Sequence, residues 1–265
     1  MPLRIALVQY LNSVPLGWGF TQGPLREQVE VQLCTPAECA DRLGTGAAEA
    51  GLIPAAEYQR IEALRIVPGI AIATQGRARS VLLLGRVPAQ SMRSVALDSS
   101  SRTSAVLVRL LLSEWFGNRP EFHTSTLDIP AMLEQHEGAL VIGDRALCAR
   151  LSDFPYAYDL GELWVRMTGL PFVFAIWACR GSVTDERHSS MFAASREFGC
   201  KRIGEISRLY SERLSLPAAA IEEYLLANLD YDLGPRHQQG LELFFQLACR
   251  RGLIPKCRPL DFIPS

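Results

Sequence analysis

Eight short apolar runs punctuate the chain before residue 178: Ile5–Val8, Val29–Leu33, Gly51–Ile53, Ile66–Ala73, Val81–Leu84, Val95–Leu97, Ala139–Ile142 and Phe172–Trp177. Helical patterns lie between many of them, and that alternation predicts an α/β fold built on a largely parallel sheet. Thr35-Pro36-Ala37-Glu38 has the form of a capping box with proline at the first helical position, opening a helix that stops near Gly44 and Gly46. A second helix begins around Arg102, carries Val106, Leu107, Leu110 and Leu111 on one apolar face, and ends before Gly117. After Cys179 the texture becomes helical, over 184–202, 204–214, 217–229 and 235–251, with Pro217 and Pro235 near helix starts and Gly252 at a stop. Leu241, Phe244, Phe245 and Ala248 make a core-facing stripe in the last of these.

A chain that begins with β/α units and ends with helices can form two lobes, the second inserted into the first. The crossings are expected near Leu84–Pro88 and Trp177–Arg180, giving residues 1–85 with 178–265 in one lobe and 86–177 in the other.

Composition excludes several classes. With 48% hydrophobic and 21% charged residues in 265, the chain can bury a real core. A net charge of -1 offers no field for nucleic acid or acidic lipid, so the expected partner is a small molecule. The cations are 25 Arg against two Lys, which decides nothing about function. Seven cysteines contain no Cys-x-x-Cys pair and no zinc-finger His spacing, so neither a metal site nor a redox motif is expected, and no cofactor is implied. The odd count fits free thiols in a reducing compartment. The apolar run Ile5–Val8 is too short for a signal segment, and no stretch reaches membrane-spanning length, so a cytoplasmic location is expected.

Three stretches carry polar groups where backbone N–H groups become free. In Asp98-Ser-Ser-Ser-Arg-Thr-Ser104, a helix cap requires one or two such residues, and five within six is a surplus. The surplus favours an anion site in which helix N–H groups and the hydroxyls of Ser100, Ser101 and Thr103 meet a carboxylate, with Arg102 as charge partner or structural anchor. Tyr10-Leu-Asn-Ser-Val-Pro-Leu16 follows the first strand, where open α/β sheets bind ligands, and also reads as a turn. Asn12 there can donate and accept without changing charge, and Ser13 sits beside it. Thr168-Gly-Leu-Pro-Phe-Val-Phe-Ala175 is a strand entered through a Gly/Pro turn, or a wall in which Thr168 and the Gly169 amide close over a ring. Arg77-Ala-Arg-Ser80 is a solvated strand start, or a dicarboxylate clamp made by Ser80 and one of the two arginines. Gly143-Asp144 is a strand-end turn or a polar wall of the cleft. His123, His136, His188 and His237 are scattered and read as surface or packing residues.

In this order, these segments resemble the chorismate dehydratase family of the futalosine route to menaquinone. The resemblance runs through Tyr10–Leu16, Gly51–Tyr58, Ser80–Leu84, Val95–Ser104, Leu140–Leu147 and Thr168–Ala178, and more weakly through Gly240–Phe244. It implies a two-lobed fold like that of type II periplasmic binding proteins, with substrate in the interlobe cleft, and dehydration of chorismate to 3-[(1-carboxyvinyl)oxy]benzoate without a cofactor. It assigns Asn12 and Ser80 to catalysis, orienting the substrate and polarising its leaving or carboxylate groups. Ser13, Arg79, Ser100, Ser101, Arg102, Thr103, Asp144, Thr168 and Gly169 are then expected to bind substrate. The family's proposed base is the substrate's own enolpyruvyl carboxylate, which fits a chain in which no His or Glu stands out. The segment Gly17–Gly23, with Trp18 and Phe20, is less familiar and could alter the cleft entrance. Two rivals share the fold: a non-catalytic carboxylate binder or sensor, and the naphthoate-forming cyclase of the same pathway, which requires a proton-transferring base.

Overall fold

The computed structural model describes residues 2–181, 183 and 185–264. Its strands are β1 (Leu3–Val8), β2 (Val29–Cys34), β3 (Ala50–Pro54), β4 (Arg65–Thr74), β5 (Val81–Gly85), β6 (Ser94–Asp98), β7 (Glu121–Ser125), β8 (Gly138–Ile142), β9 (Tyr156–Asp159), β10 (Phe172–Cys179) and β11 (Asp230–Leu233). Its α-helices are α1 (Val14–Thr21), α2 (Pro36–Thr45), α3 (Thr103–Glu114), α4 (Ile129–Gln135), α5 (Gly143–Leu147), α6 (Leu160–Thr168), α7 (Glu186–Cys200), α8 (Ile203–Leu214), α9 (Ala218–Glu223) and α10 (Pro235–Arg250). All eight apolar runs are strands. Position 184, where the first C-terminal helix was expected to start, lies outside the described residues; the helix runs from Glu186.

The strands form two sheets, ordered β11-β4-β10-β3-β1-β2 and β7-β6-β8-β5-β9. Both are mixed, not largely parallel. β1 pairs in parallel with β2 and β3, and β6 with β7 and β8. The strands flanking each passage between sheets run the other way: β5 is antiparallel to β8 and β9, and β10 to β3 and β4. A strand that arrives from the neighbouring lobe closes no βαβ unit within its own sheet and is free of the rule that keeps such units parallel.

Sheet membership also moves the passages. β5 lies in the second sheet and β10 in the first, so the chain crosses at residues 75–80 and 169–171, not at 85/86 and 177/178. Val81-Leu-Leu-Leu84 is buried between two strands of the second lobe, and Phe172–Cys179 between two of the first.

Local signals operate as the residues dictate. Thr35 and Glu38 close the capping box on α2, Glu38 N donating to Thr35 Oγ1 at 3.3 Å and Thr35 N to Glu38 Oε2 at 2.8 Å, and Gly46 ends the helix at φ 80°. The Leu241, Phe244, Phe245 and Ala248 stripe of α10 is fully buried. Gly17–Gly23 is the helix α1 and its exit, packed on α7, so it belongs to the first lobe's core. Its Phe20 meets Trp177 and Phe192 edge-on, and Gly199 lets α7 approach so closely that a Cβ there would sit 2.0 Å from the Pro15 carbonyl oxygen. No helix among the described residues is long and apolar enough to cross a membrane.

Candidate active site

Between the two sheets lies a cleft lined by residues of both. The first sheet contributes Val8 and the turn after β1, Pro54 at the end of β3, Ile72 of β4, and Phe174 and Ala175 of β10. The second contributes Ser80 and Val81, Ser101 to Ser104, and the Ile142–Gly143 step from β8 into α5. Apolar side chains thus form most of the wall, with hydroxyls and one carboxamide set among them.

Of the eleven expected site residues, five line this cavity: Asn12, Ser80, Ser101, Arg102 and Thr103. Asn12 sits in a 3-10 turn, Leu11–Ser13, directly after β1. Its Oδ1 is buried and has no hydrogen-bond partner among the described residues, and the same holds for Ser101 Oγ across the cleft. Buried polar atoms are almost always paired, so two orphans on residues that line one cavity mark a place where a polar ligand can complete the structure.

Thr103 begins α3, whose first turn has no side-chain cap; the earliest backbone donor paired here is Val106 N, on Arg102 O at 3.3 Å. The preceding N–H groups at the positive end of the helix dipole can receive a carboxylate. The Thr103 hydroxyl itself accepts from Ala56 N at 3.1 Å, tying the lobes together.

Arg102 lines the cavity, but its guanidinium is spent. Nη1 donates to Glu57 Oε2 at 2.7 Å, and Nη2 to Asp41 at 2.8 and 3.0 Å. Arg102 is therefore an interlobe anchor, bridging Glu57 and Asp41.

The other six expected residues lie outside the cavity. Ser13 Oγ donates to the carbonyls of Val8 and Tyr10, closing the turn that carries Asn12. Ser100 Oγ donates to Asp98 Oδ1 at 2.6 Å and meets the Tyr10 hydroxyl at 3.1 Å, so it supports Tyr10, which does line the cleft. Asp144 accepts Leu11 N at 2.9 Å from the other lobe, and burial pushes its carboxyl above the usual range. Arg79 has φ 59° and turns its guanidinium toward Glu223, 3.9 Å away. Thr168 Oγ1 donates to Trp164 O at 2.9 Å and accepts from Leu170 N, and Gly169 ends α6 at φ 73°; these two close a helix.

Sequence reasoning missed three participants. Tyr10 was visible as the first residue of its motif. Glu57 lay unmarked in the 3-10 turn after β3, with a side chain 3% exposed. Tyr224, fully buried, donates to Ser80 Oγ at 2.7 Å from 144 residues away, and no local pattern marks it.

Residues 3–250 match the model of a family described as menaquinone biosynthesis. The chain is 30% identical to the chorismate dehydratase of Thermus thermophilus over 263 residues, covering 92% of this chain and 94% of that one. It is 27% identical to the chorismate dehydratase of Campylobacter jejuni over 176 residues, 65% of each. Among solved structures, a protein from Archaeoglobus fulgidus superimposes with a TM-score of 0.79 at 17% identity, covering 96% of this chain and 98% of that one. The periplasmic aliphatic sulphonate binding protein SsuA from Escherichia coli does so with a TM-score of 0.66 at 14% identity, covering 100% and 94%. The fold is thus that of periplasmic binding proteins. With the matched span running from β1 through α10, the chain belongs to the chorismate dehydratase family of menaquinone biosynthesis.

Proposed function

We propose that this chain is a hydro-lyase that removes water from chorismate to give 3-[(1-carboxyvinyl)oxy]benzoate, acting in the cytoplasm. The observation that carries the reading is the convergence of Asn12 Oδ1, Ser101 Oγ and the Ser80 hydroxyl on one apolar-walled cleft in a member of this family. In the reaction the ring C–H beside the ether gives up its proton, that bond's electrons form the new ring double bond, and the neighbouring hydroxyl leaves as water. Such an elimination needs an aligned substrate and polar groups where charge develops, with aromatisation supplying the driving force.

The chain's residues suit each requirement. The α3 amides receive the ring carboxylate, Val8, Ile72, Val81 and Phe174 enclose the ring, and Asn12 and Ser80 orient the ether and hydroxyl side. No Asp, Glu or His is among the described residues lining the cavity. That supports the substrate's enolpyruvyl carboxylate as base, and it counts against a cyclase that needs a base of its own. All seven cysteines are free thiols, as suits a reducing cytoplasm.

The test is incubation of purified protein with chorismate, without added metal or nucleotide, with products followed by liquid chromatography and mass spectrometry. The expected product is lighter by one water, keeps its enolpyruvyl group and forms only with enzyme. Tight binding of unchanged chorismate would instead establish a binding protein, the role named for SsuA.

A further inference from the structure

Behind Ser80, away from the cleft, stands a second hydroxyl. Tyr224 is completely buried, and its phenol donates to Ser80 Oγ at 2.7 Å. Burial raises the phenol well above its ordinary value of 10.0, so Tyr224 stays protonated and acts as donor. With that lone pair of Ser80 engaged, the serine's own proton has one acceptor among the described residues, the Ala78 carbonyl at 3.4 Å, at the long limit for an O–H donor. The cleft side of Ser80 is where a better acceptor can sit.

The backbone around Tyr224 is built to hold this pair. α9 gives way at Tyr224 to a single π-helical turn, Tyr224–Asn228, an irregularity frequent at functional sites. The end of that turn is fastened to the passage between the lobes: Asn228 O accepts from Thr74 Oγ1 at 2.8 Å, and Asn228 Nδ2 donates to Arg77 O at 3.1 Å. The next residue, Leu229, lines the cleft. One turn of the C-terminal helices therefore reaches both Ser80 and the cleft wall.

We infer that Tyr224 is a positioning residue, which fixes the Ser80 hydroxyl as a donor aimed into the cleft at the departing hydroxyl of the substrate. The inference rests on the dehydratase reading and deepens it. Tyr224 touches no substrate; it acts through Ser80, and the chain of two hydroxyls makes Ser80 a stronger donor than an isolated serine.

The experiment compares Tyr224→Phe, Ser80→Ala and the double variant, each with a thermal melt and steady-state kinetics on chorismate. Loss of one hydrogen bond acting through Ser80 lowers kcat about tenfold in Tyr224→Phe, with KM changed by no more than about twofold. In the Ser80→Ala background, Tyr224→Phe then changes nothing further, because its route to the substrate is gone. A merely structural tyrosine gives the same loss in both backgrounds, and that result overturns the inference. So does wild-type kcat in a folded Tyr224→Phe. If Tyr224→Phe does not fold, 3-fluorotyrosine at position 224 keeps the ring and strengthens the donor; an unchanged kcat there also rules out the role. If wild-type protein binds chorismate without converting it, the dehydratase reading fails, and the same cycle is read in calorimetric affinity, where a Tyr224→Phe loss absent from the Ser80→Ala background still supports the pairing.

Discussion

Arg102 and Glu57 join the two lobes at the mouth of the cleft: Arg102 Nη1 lies 2.7 Å from Glu57 Oε2, and the Glu57 side chain is only 3% exposed. Arg60 shares that carboxylate, and Asp41 takes the other side of the Arg102 guanidinium. A buried carboxylate stripped of one partner keeps its desolvation cost, so Arg102→Ala should destabilise by roughly 1–3 kcal/mol. Thermal melts should show a fall of several degrees, with chorismate affinity by calorimetry changing less. Unchanged melting together with a large loss of affinity would return Arg102 to the role of carboxylate ligand.

That pair also shows where sequence reading stops. From the polar surplus at 98–104, Ser101, Arg102, Thr103 and Ser104 line the cleft, as do Asn12 and Ser80. The partners of Arg102 and Ser80, Glu57 and Tyr224, lie 45 and 144 positions away, and no spacing rule reaches that far. The strands divide on similar grounds. β7, β9 and β11, the three without an apolar run, are all edge strands, and Glu121, His123 and Asp232 on them are exposed. An edge strand is half-solvated and needs no continuous hydrophobic run. Thr168 and Gly169 misled for the opposite reason: a hydroxyl and a glycine at a helix end satisfy local carbonyls and a left-handed turn, and that use consumed both.

Gly143 opens α5 at φ 63°, and a Cβ there would stand 2.6 Å from the Tyr10 ring. Gly143→Ala meets both a left-handed backbone and an aromatic wall, at a combined cost of roughly 1–3 kcal/mol. The Tyr10 ring must shift, and with it the Tyr10–Ser100 contact across the cleft. Raised KM alongside a lowered melting temperature is the expected pair of results. An unaltered KM would mean that Tyr10 does not shape the pocket.

Asp144 gives a pH dependence with a definite sign. Burial raises its carboxyl above the ordinary 3.8, and the hydrogen bond from Leu11 N opposes that only in part. The unfolded chain therefore loses this proton at lower pH than the folded one. Below pH 3.8 both states are protonated and Asp144 contributes no difference; as pH rises from there through the folded value, ionisation favours the unfolded state, and the loss then levels off. Asp144→Asn keeps an oxygen for Leu11 N and removes the charge, so its urea midpoint should gain on wild type between pH 4 and pH 7, the gain growing across the lower part of that range. A difference that stays flat with pH would show that Asp144 is not desolvated in solution. Asp144→Ala, which also releases Leu11 beside Asn12, should lower kcat where Asp144→Asn does not.

Asp159 carries three structural duties near the site. Its Oδ1 accepts Ala78 N at 3.0 Å and caps α6 through Glu162 N at 3.1 Å, while Oδ2 accepts Arg79 N at 2.7 Å. These bonds hold the passage into β5 one residue before Ser80, where Arg79 is forced to φ 59°. Asp159→Asn retains one acceptor oxygen, but its Nδ2 then faces the Arg79 N–H, donor against donor. The loss should exceed an ordinary cap substitution of about 1 kcal/mol and reach about 2–3 kcal/mol, read as a shifted urea midpoint. Arg79→Gly separates strain from support. Glycine takes the left-handed backbone freely, and the Glu223 contact it forfeits is exposed, so stability should hold or rise by up to about 1 kcal/mol. If Arg79→Gly is instead as damaging as Asp159→Asn, the arginine side chain, and not the Asp159 clamp on its backbone, is what sets Ser80 at the edge of the cleft.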